Sequence, residues 1–469
     1  MFGLGTTLTI FLIVCLVAAV VFEFINGFHD TANAVATVIY THSLKPYVAV
    51  VWSGLWNFIG VYVGGIAVAM GIVNLLPLEM LIDQNVYHSI SMILALIVTS
   101  VIWNIGTWYF GIPCSSSHTL IGSIFGVSLA YSFLPEAANV ALNWAKVKDV
   151  GLSLLVSPMV GFALALGLMF LLKRLIKNKA MFKEPDSETP PPLIMRAILI
   201  LTCTSVSFSH GSNDGQKGVG LIMIILIGII PLQFAINRAD SPLKMMDHAN
   251  KIELSLARVD SSKLDDEAMF NYSQVKRNID TIQATIQNQT TFNSLKSSQV
   301  VLIRKSILTA SKKYDALLET PNVLPKEAKS TIKSEFKGLK SFTEYAPWWV
   351  ILTISLSLGV GTMIGWKRIV VTLGEKIGKT HLSYAQGASA EIIAASTIGI
   401  STVLGLPVST THVLTSGIAG TMVAKKKKNL KMKTVRNIAI AWIVTIPVTI
   451  VLSGGIFLLL RYILVSVPK

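Results

Sequence analysis

The stretch 26-NGFHDTANAVATVIYT-41 follows an almost unbroken apolar run from Leu4 to Ile25. It places the carboxylate of Asp30 at the end of a segment that is long and apolar enough to cross a membrane. A charged carboxylate at the centre of such a helix costs about 2.5–3.5 kcal/mol on insertion scales, so residues of this kind are typically retained for a task. The stretch is therefore a candidate half of a binding site inside the membrane.

The composition of the whole chain is that of a polytopic membrane protein. Of its 469 residues, 52% are hydrophobic and 14% are charged, whereas soluble domains have about 25% charged residues. The net charge is +15, and its basic residues cluster between apolar segments. The positive-inside rule explains that clustering without a nucleic-acid partner. The three cysteines lie in apolar stretches and predict neither a disulfide nor a metal cluster. We also expect no cleavable signal peptide, because the first apolar segment lacks a basic n-region.

The fold class that these segments predict is an all-α protein with about 10–12 membrane segments. The ten predicted spans are 4–25, 47–75, 88–110, 113–134, 150–172, 194–231, 346–366, 385–404, 405–423 and 437–464. We place the basic loops 173–183, 367–379 and 425–436 inside the cell. Segment 194–231 must then cross once as a broken helix, and both termini fall outside.

Residues 238–345 differ from the rest because they are polar and lysine-rich, with a helical pattern in 326-KEAKSTIKSEFKGLKSF-342. We expect a soluble helical insert outside the cell, since loops of this length translocate largely regardless of charge. The expected domains are a first membrane repeat (1–172), a cytoplasmic linker (173–196), the start of a second membrane repeat (197–237), the insert (238–345) and the remainder of the second repeat (346–469).

Two motifs occur twice along the chain. The pairs are 27-GFHDTANA-34 with 211-GSNDGQKG-218, and 111-GIPCSSSHTL-120 with 405-GLPVSTTHVL-414. Asp30 precedes His118 by 88 residues and Asp214 precedes His412 by 198, and the difference of 110 nearly equals the 108-residue insert. This indicates an internal duplication. In the predicted topology the two repeats are inverted and contain broken or re-entrant helices, an architecture typical of secondary transporters.

The second motif pair predicts a helix break followed by a new helix. Pro113 and Pro407 cannot continue a preceding helix, and the hydroxyl residues after them are preferred helix N-caps. A helix that starts at mid-membrane depth offers free N–H groups and a positive dipole end to a phosphate-like anion. The candidate anion-binding hydroxyls are Ser115, Ser116, Ser117, Ser409, Thr410 and Thr411. Such residues often bond only to their own backbone, but two triplets at matching positions favour a site.

The first motif pair suits a co-transported cation better than an anion. Asp30 and Asp214 would repel an oxyanion, whereas each can carry a proton or help to hold a metal ion. The amides Asn33, Asn213 and Asn26 can coordinate a cation or accept a hydrogen bond from a protonated substrate.

Further ionisable residues accompany these motifs. Lys217 is a candidate countercharge for Asp214 or for the anion, and Glu23 lies two helical turns before the first aspartate. Glu391, in an apolar context, is a candidate for coupling. We find no Walker-type phosphate loop, so ATP is not the predicted energy source.

Histidines occur in both motif pairs. His118 and His412 are either satisfied interior histidines or supporting residues of the site, with equal weight. His29 and His210 carry less weight.

At these residues the chain resembles the inorganic phosphate transporter (PiT) family, whose hallmark is a duplicated Gly-Ala-Asn-Asp-type motif and a duplicated Pro-x-Ser-x-x-His-type motif. The resemblance runs the length of the chain and is strongest to the bacterial low-affinity phosphate permeases. It implies symport of phosphate with protons into the cell, as phosphate or a neutral divalent metal–phosphate complex, across the bacterial inner membrane. It also implies Asp30, Asn33, Asn213, Asp214 and the two hydroxyl triplets as site residues.

The resemblance favours proton coupling over sodium coupling at one position, Asn57, whereas a second position, Glu391, does not distinguish them. Asn57 stands where sodium-coupled relatives carry an acid, and Glu391 matches an acid that they also have. The expected partners are phosphate, protons, divalent cations, the lipid bilayer and a second copy of the chain. We expect no resident cofactor and no fixed metal.

Three other functions compete with phosphate symport. A sulfate or other oxyanion symporter of the same family would use the same motifs. A membrane-embedded phosphatase could use Ser–His and Asp–His pairs, but the duplication of every such residue suits a symmetric carrier better than an enzyme. An ion channel would differ by its lack of saturable, gradient-dependent uptake.

Overall fold

The computed structural model describes residues 3–76, 78–81, 85–135, 144–185, 190–259, 264–320, 325–425 and 429–465. Within these ranges the secondary structure is helical, apart from one bridge between Gly378 and Leu430. The all-α prediction is confirmed. The chain forms two compact units, a membrane unit of Gly3–Ile225 with Ala346–Lys469 and a second unit of Leu226–Tyr345.

The helices are numbered in chain order. They are α1 Thr6–Asp30, α2 Ala32–Tyr40, α3 Pro46–Val63, α4 Ala67–Val73, α5 Leu78–Leu81, α6 Val86–Tyr109, α7 Ser116–Ser132, α8 Trp144–Leu175, α9 Leu193–Ile229, α10 Pro231–Phe234, α11 Pro242–Leu256, α12 Asp266–Ile286, α13 Ser297–Leu317, α14 Lys326–Ser341, α15 Trp348–Thr362, α16 Lys367–Val371, α17 Tyr384–Val403, α18 Thr410–Lys425 and α19 Met432–Val465. A π-helical turn, Thr372–Lys376, continues α16.

Six stretches of the described chain are long and apolar enough to cross a membrane. They are Thr6–Tyr40, Pro46–Val63, Val86–Tyr109, Val147–Leu175, Leu193–Ile229 and Met432–Val465. A seventh crossing arises if α15 and the helical segment Lys367–Gly374, which meet at 55°, count as one span. The predicted spans 113–134, 385–404 and 405–423 correspond to α7, α17 and α18, which are shorter or richer in small and polar residues.

Helix continuity differs from the prediction at three places. The predicted span 47–75 is divided between α3 and α4, where Gly65 takes a left-handed backbone with φ +79°. Conversely, α9 runs unbroken for 37 residues, so the expected break at the second acidic motif is wrong. At the first acidic motif only Thr31 separates α1 from α2, and its φ of −50° and ψ of −39° are helical.

Glycines in the second acidic motif serve close packing rather than helix breaking. A Cβ on Gly211 would overlap the carbonyl oxygen of Asn57, and one on Gly215 would overlap the side chain of Val61. Small residues at membrane helix interfaces let backbones approach closely. Glycine in this motif therefore allows α9 to lie against α3 without a bend.

The predicted breaks at the two Gly-x-Pro segments are present. Helix α6 ends at Tyr109 and α7 starts at Ser116, while α17 ends at Val403 and α18 starts at Thr410. Gly111 and Gly405, at matching positions, have φ of +66° and +67°, a conformation that glycine adopts without a steric penalty. The two segments thus share one local structure, whereas the inverted relation of the two repeats stays a prediction.

Helices α7 and α18 occupy the interior of the membrane unit. A Cβ on Gly126 of α7 would overlap the Ile450 carbonyl of α19, and one on Gly420 of α18 would overlap the Phe162 carbonyl of α8. These contacts bring backbones together across the core. Both triplets of hydroxyl residues are therefore carried into the protein interior, away from lipid.

The unit Leu226–Tyr345 packs α11 to α14 around a buried apolar core. Arg304, 1% exposed, donates hydrogen bonds to the carbonyls of Ala235 (3.0 Å) and Thr343 (2.7 Å). Burial lowers the pKa of its guanidinium to about 10. The two ends of this unit also meet through the Asn237 N–H and the Phe342 carbonyl, 2.7 Å apart. A buried arginine thus joins the segments by which the chain enters and leaves the unit.

Candidate functional site

Asp30 is the point at which several helices meet. Its side chain is buried at the end of α1. Thr411 donates to Oδ1 at 2.7 Å and Ser116 donates to Oδ2 at 3.0 Å, while His29 Nδ1 lies 3.1 Å from Oδ1. One hydroxyl from each triplet therefore serves this single carboxylate, across 86 and 381 positions of sequence.

Asp214 lies in the middle of α9 and is fully buried. Lys217 Nζ is 2.7 Å from its Oδ2, and Thr410 donates to the same oxygen at 3.2 Å. Its Oδ1 has no hydrogen-bond partner among the described residues. A buried carboxylate oxygen without a donor is costly in isolation and is a site at which a proton or a cation can bind.

Lys217 links α9 to the start of α7. Its Nζ donates to Ser117 Oγ at 2.6 Å and lies 3.3 Å from Ser116 Oγ. Because the ammonium is fully buried, its contacts with Asp214 and the two serines must offset its loss of hydration. Of the two roles predicted for Lys217, the structure places it as the countercharge of Asp214.

His210 joins the two aspartates. Its Nε2 lies 3.5 Å from Asp214 Oδ2 and 3.8 Å from Asp30 Oδ2, and its Nδ1 lies 2.6 Å from Asn57 Oδ1. One ligand atom from each of His210, Asp30 and Asp214 falls within 4.8 Å of the other two. Two carboxylates and an imidazole at this spacing form a donor set that suits a divalent cation.

The sequence gives His210 little weight, whereas its ring lies between the two aspartates in the structure. In a continuous helix, His210 and Asp214 stand at i and i+4 and share one face. A break at the second acidic motif would remove that relation. The spacing was therefore the available signal, and it acquires meaning only once the helix is known to be continuous.

The first hydroxyl of each triplet caps its helix. Ser115 Oγ accepts from the backbone N–H of His118 at 3.1 Å, and Ser409 Oγ accepts from the backbone N–H of His412 at 3.1 Å. Capping by the first hydroxyl leaves the second and third free to point toward other helices.

The predicted amides divide into two groups. Asn33 donates to Thr411 Oγ1 at 2.9 Å and lies beside Asp30, and its Oδ1 has no described partner. Asn213 instead donates to Thr402 Oγ1 at 3.0 Å and accepts from the Val408 N–H at 3.4 Å. Asn213 therefore braces the break before α18, whereas Asn33 lies in the acidic cluster.

The two predicted glutamates have other hydrogen-bond partners. Glu23 Oε1 accepts from Asn26 at 3.1 Å, and a Cβ on Gly218 of α9 would overlap Glu23 Oε2. Glu391 Oε2 accepts from Thr202 at 2.5 Å. Each glutamate keeps one buried oxygen without a described partner. Glu23 of α1 thus packs against Gly218, the residue of α9 that follows Lys217. Glu391 is bonded to Thr202, in an earlier part of α9.

The paired histidines lie against each other rather than against the aspartates. The ring centroids of His118 and His412 are 4.4 Å apart, and His412 stacks on Trp442 at 3.8 Å. His118 Nδ1 lies 2.8 Å from Ser115 Oγ. These contacts place the two rings between α7, α18 and α19, beside the caps.

The charges of this cluster set its chemistry. With neutral imidazoles, the two aspartates outweigh the single lysine. At short range in a buried environment an added anion would be strongly repelled. A cation, by contrast, would neutralise the excess charge. As long as both imidazoles are neutral, this excess negative charge favours a cation over an anion.

Comparison with known proteins matches most of the chain to one protein family. The profile of the phosphate transporter family matches residues 26–453. A low-affinity inorganic phosphate transporter of Buchnera aphidicola subsp. Acyrthosiphon pisum is 41% identical over 461 residues, 93% of this chain and 94% of that protein. The low-affinity inorganic phosphate transporter PitA of Escherichia coli K12 is 39% identical over 488 residues, 97% of each.

A solved structure, described as the sodium-dependent phosphate transporter, has the same fold, with a TM-score of 0.54 at 20% identity. It covers 97% of this chain and 100% of its own. The relatives are named as transporters rather than enzymes, and the long apolar helices make the chain a multi-pass membrane protein. The chain belongs to the phosphate transporter family.

Proposed function

We propose that the protein is a secondary symporter that carries inorganic phosphate into the cell across the bacterial inner membrane, coupled to protons. The transported species is either phosphate or a neutral complex of phosphate with a divalent metal ion. In this proposal Asp30, His210 and Asp214 bind the coupling cation. The hydroxyls of Ser116, Thr410 and Thr411 bind the oxyanion.

One observation carries this proposal: the hydroxyls that suit an anion donate to the two carboxylates. Ser116 and Thr411 donate to Asp30, and Thr410 donates to Asp214. An ionised carboxylate holds such donors strongly because charge-assisted hydrogen bonds are about twice as strong as neutral ones. A proton or metal ion on the carboxylate weakens this hold and frees the hydroxyls for phosphate oxygens. Cation binding then precedes anion binding, which couples the two.

Phosphate is the expected anion because the named relatives are phosphate transporters. Sulfate has the same tetrahedral shape, so sulfate symport is the second candidate. Uptake of radiolabelled phosphate and sulfate into proteoliposomes, with and without a protonophore, tests both. We expect phosphate uptake that saturates, falls when the protonophore is added, and rises when Mg²⁺ is present.

Three outcomes would change the proposal. Preferential sulfate uptake would change the substrate. Uptake that ignores the proton gradient but follows a sodium gradient would change the coupling ion. Release of phosphate from a phosphate ester by the purified protein would favour a phosphatase.

A further inference from the structure

A second candidate site lies where α6 ends and α16 begins. A cavity of about 610 Å³ is lined by residues 108–111 at the end of α6, by residues 365–368 at the start of α16, and by Lys376. Since α6 is a candidate span, its end at Tyr109 marks a boundary between hydrocarbon and headgroups. The cavity therefore lies at the level of the lipid headgroups.

The charge of this cavity is positive. Lys367, Arg368 and Lys376 line it and are exposed, and no carboxylate is present among the described residues of its wall. Arg368 is held in place, since it donates to the Tyr109 carbonyl at 2.6 Å. Its guanidinium carbon lies 5.0 Å from the ring centre of Trp108 and 4.9 Å from that of Tyr109, within the range of a cation–π contact.

Aromatic rings form the outer part of the same cavity. Tyr109 and Phe110 are 59% and 73% exposed, and Trp108 is oriented by a 2.8 Å hydrogen bond from its Nε1 to the Gly365 carbonyl. Tryptophan and tyrosine are enriched at membrane interfaces, where one part of the ring is apolar and the other is wet. A free inorganic ion needs no such apolar surface, but the glycerol and acyl chains of a lipid do.

We propose that this cavity binds the headgroup of an anionic phospholipid, with the phosphodiester on Lys367, Arg368 and Lys376 and the acyl chains against Tyr109 and Phe110. Basic pockets between membrane helices are known to bind anionic headgroups. The proposal does not depend on which anion or coupling ion the protein transports.

The cavity also adjoins the break before α7. Thr372, just past α16, donates to the Gly111 carbonyl at 2.8 Å, and Gly111 lies five residues before Ser116. A lipid that stabilises α16 against residues 108–111 therefore stabilises one end of the segment that carries the hydroxyl triplet.

Native mass spectrometry of the purified full chain, titrated with phosphatidylglycerol, tests the proposal. A variant with Lys367→Gln and Lys376→Gln keeps Arg368 and its hydrogen bond to Tyr109, so the wall of the cavity stays intact. Each basic residue near a membrane surface contributes about fivefold to binding of an anionic lipid. We expect the double variant to bind phosphatidylglycerol about 25-fold more weakly. Lys379→Gln is the matched control, because Lys379 is an exposed lysine of the same segment outside the cavity wall. The control should change binding by less than about twofold.

Each alternative has its own outcome. Equal affinity of the native chain and the double variant overturns the proposal, as does an equal loss in Lys379→Gln, which indicates general surface charge. Displacement of the lipid by millimolar inorganic phosphate overturns it in favour of a phosphate vestibule. Tighter binding of phosphatidylglycerol than of phosphatidylcholine, abolished only by the cavity variant, supports it. Because these experiments measure lipid binding, their interpretation does not depend on whether the transport proposal is correct.

Discussion

Single hydrogen bonds determine the chemistry of the cluster. Asp30 accepts two hydroxyls from different parts of the chain, whereas Asp214 accepts one hydroxyl and one ammonium. The two aspartates are therefore inequivalent, although their sequence motifs are similar. Asp30 is bonded by neutral hydroxyl donors, and Asp214 is paired with Lys217.

We expect Asp30→Asn and Asp214→Asn each to abolish proton-coupled phosphate uptake and to leave the protein folded. An amide resembles a protonated carboxyl in shape but cannot lose a proton or hold a metal ion as a carboxylate does. Proteoliposome uptake with and without a protonophore measures coupling, and size-exclusion chromatography measures folding. Asp247→Asn, at an exposed position of α11, is the control. Near-normal uptake in either variant would reduce that aspartate to a structural polar residue.

Ser116→Ala and Thr410→Ala should weaken phosphate binding by about 1–3 kcal/mol each, the cost of leaving a charged group without its donor. The pH dependence of binding should change little, because both carboxylates remain. Calorimetric titration of purified protein with phosphate at several pH values gives both quantities. Ser128→Ala, a buried serine of the same helix α7, should bind phosphate normally. If the two variants bind phosphate normally but lose pH dependence, the roles of hydroxyls and aspartates are reversed.

The secondary-structure elements around the site are one continuous helix, α9, and the starts of two helices, α7 and α18, that follow breaks in helical structure. The starts of α7 and α18 deliver hydroxyls, while α9 delivers His210, Asp214 and Lys217 from consecutive turns of one face. Asp214 lies on α9 and Asp30 lies at the end of α1, so the packing of these two helices against the starts of α7 and α18 sets the distances between carboxylates and hydroxyls. The left-handed glycines that open the two Gly-x-Pro segments therefore matter for geometry as well as stability.

We expect Gly111→Ala and Gly405→Ala each to destabilise the protein by about 1–2 kcal/mol, the cost of a left-handed conformation for a residue with a Cβ. Gly106→Ala is the matched control, because Gly106 lies inside α6 with no atom within 4 Å of an added Cβ. Alanine there should be neutral or slightly stabilising. Thermal denaturation of the purified protein compares all three. A loss of stability in Gly106→Ala as large as in the other two would contradict a conformational cause.

At the scale of the whole molecule, the sidedness of the membrane unit is a prediction from the basic loops. The same prediction places the unit that contains α13 outside the cell. Since the inverted relation of the two repeats follows only from this topology, one labelling experiment tests both.

A cysteine in place of Ser297, in a background that lacks the three native cysteines, should react with an impermeant thiol reagent on intact cells. Ser297 is exposed at the start of α13. A cysteine in place of Lys177, in the basic loop after α8, should react only in inverted vesicles. The opposite pattern at the two positions would overturn the topology and with it the inverted repeat.

Local features of the sequence were sufficient to predict the class of protein and the positions of two helix breaks. Apolar length, proline and the preference of serine for N-caps act within a few residues, so 111-GIPCSSSHTL-120 and its counterpart could be interpreted without a structure. Motif similarity then identified the phosphate transporter family. Two of the incorrect predictions, a break in α9 and an undivided span 47–75, involved glycine, whose effect depends on the neighbouring helix.

The tertiary structure determines which of these side chains contact each other. Thr411 reaches Asp30 across 381 positions, and His210 joins both aspartates because α9 is unbroken from Leu193 to Ile229. Hydrogen bonds of this kind require placement to within a few tenths of an ångström, which close packing of glycine-lined helices provides and no local pattern encodes. Two acidic motifs and two hydroxyl triplets are visible in the sequence alone. The packing of four helices determined that they form one site, because only contact between buried surfaces fixes distances between remote residues.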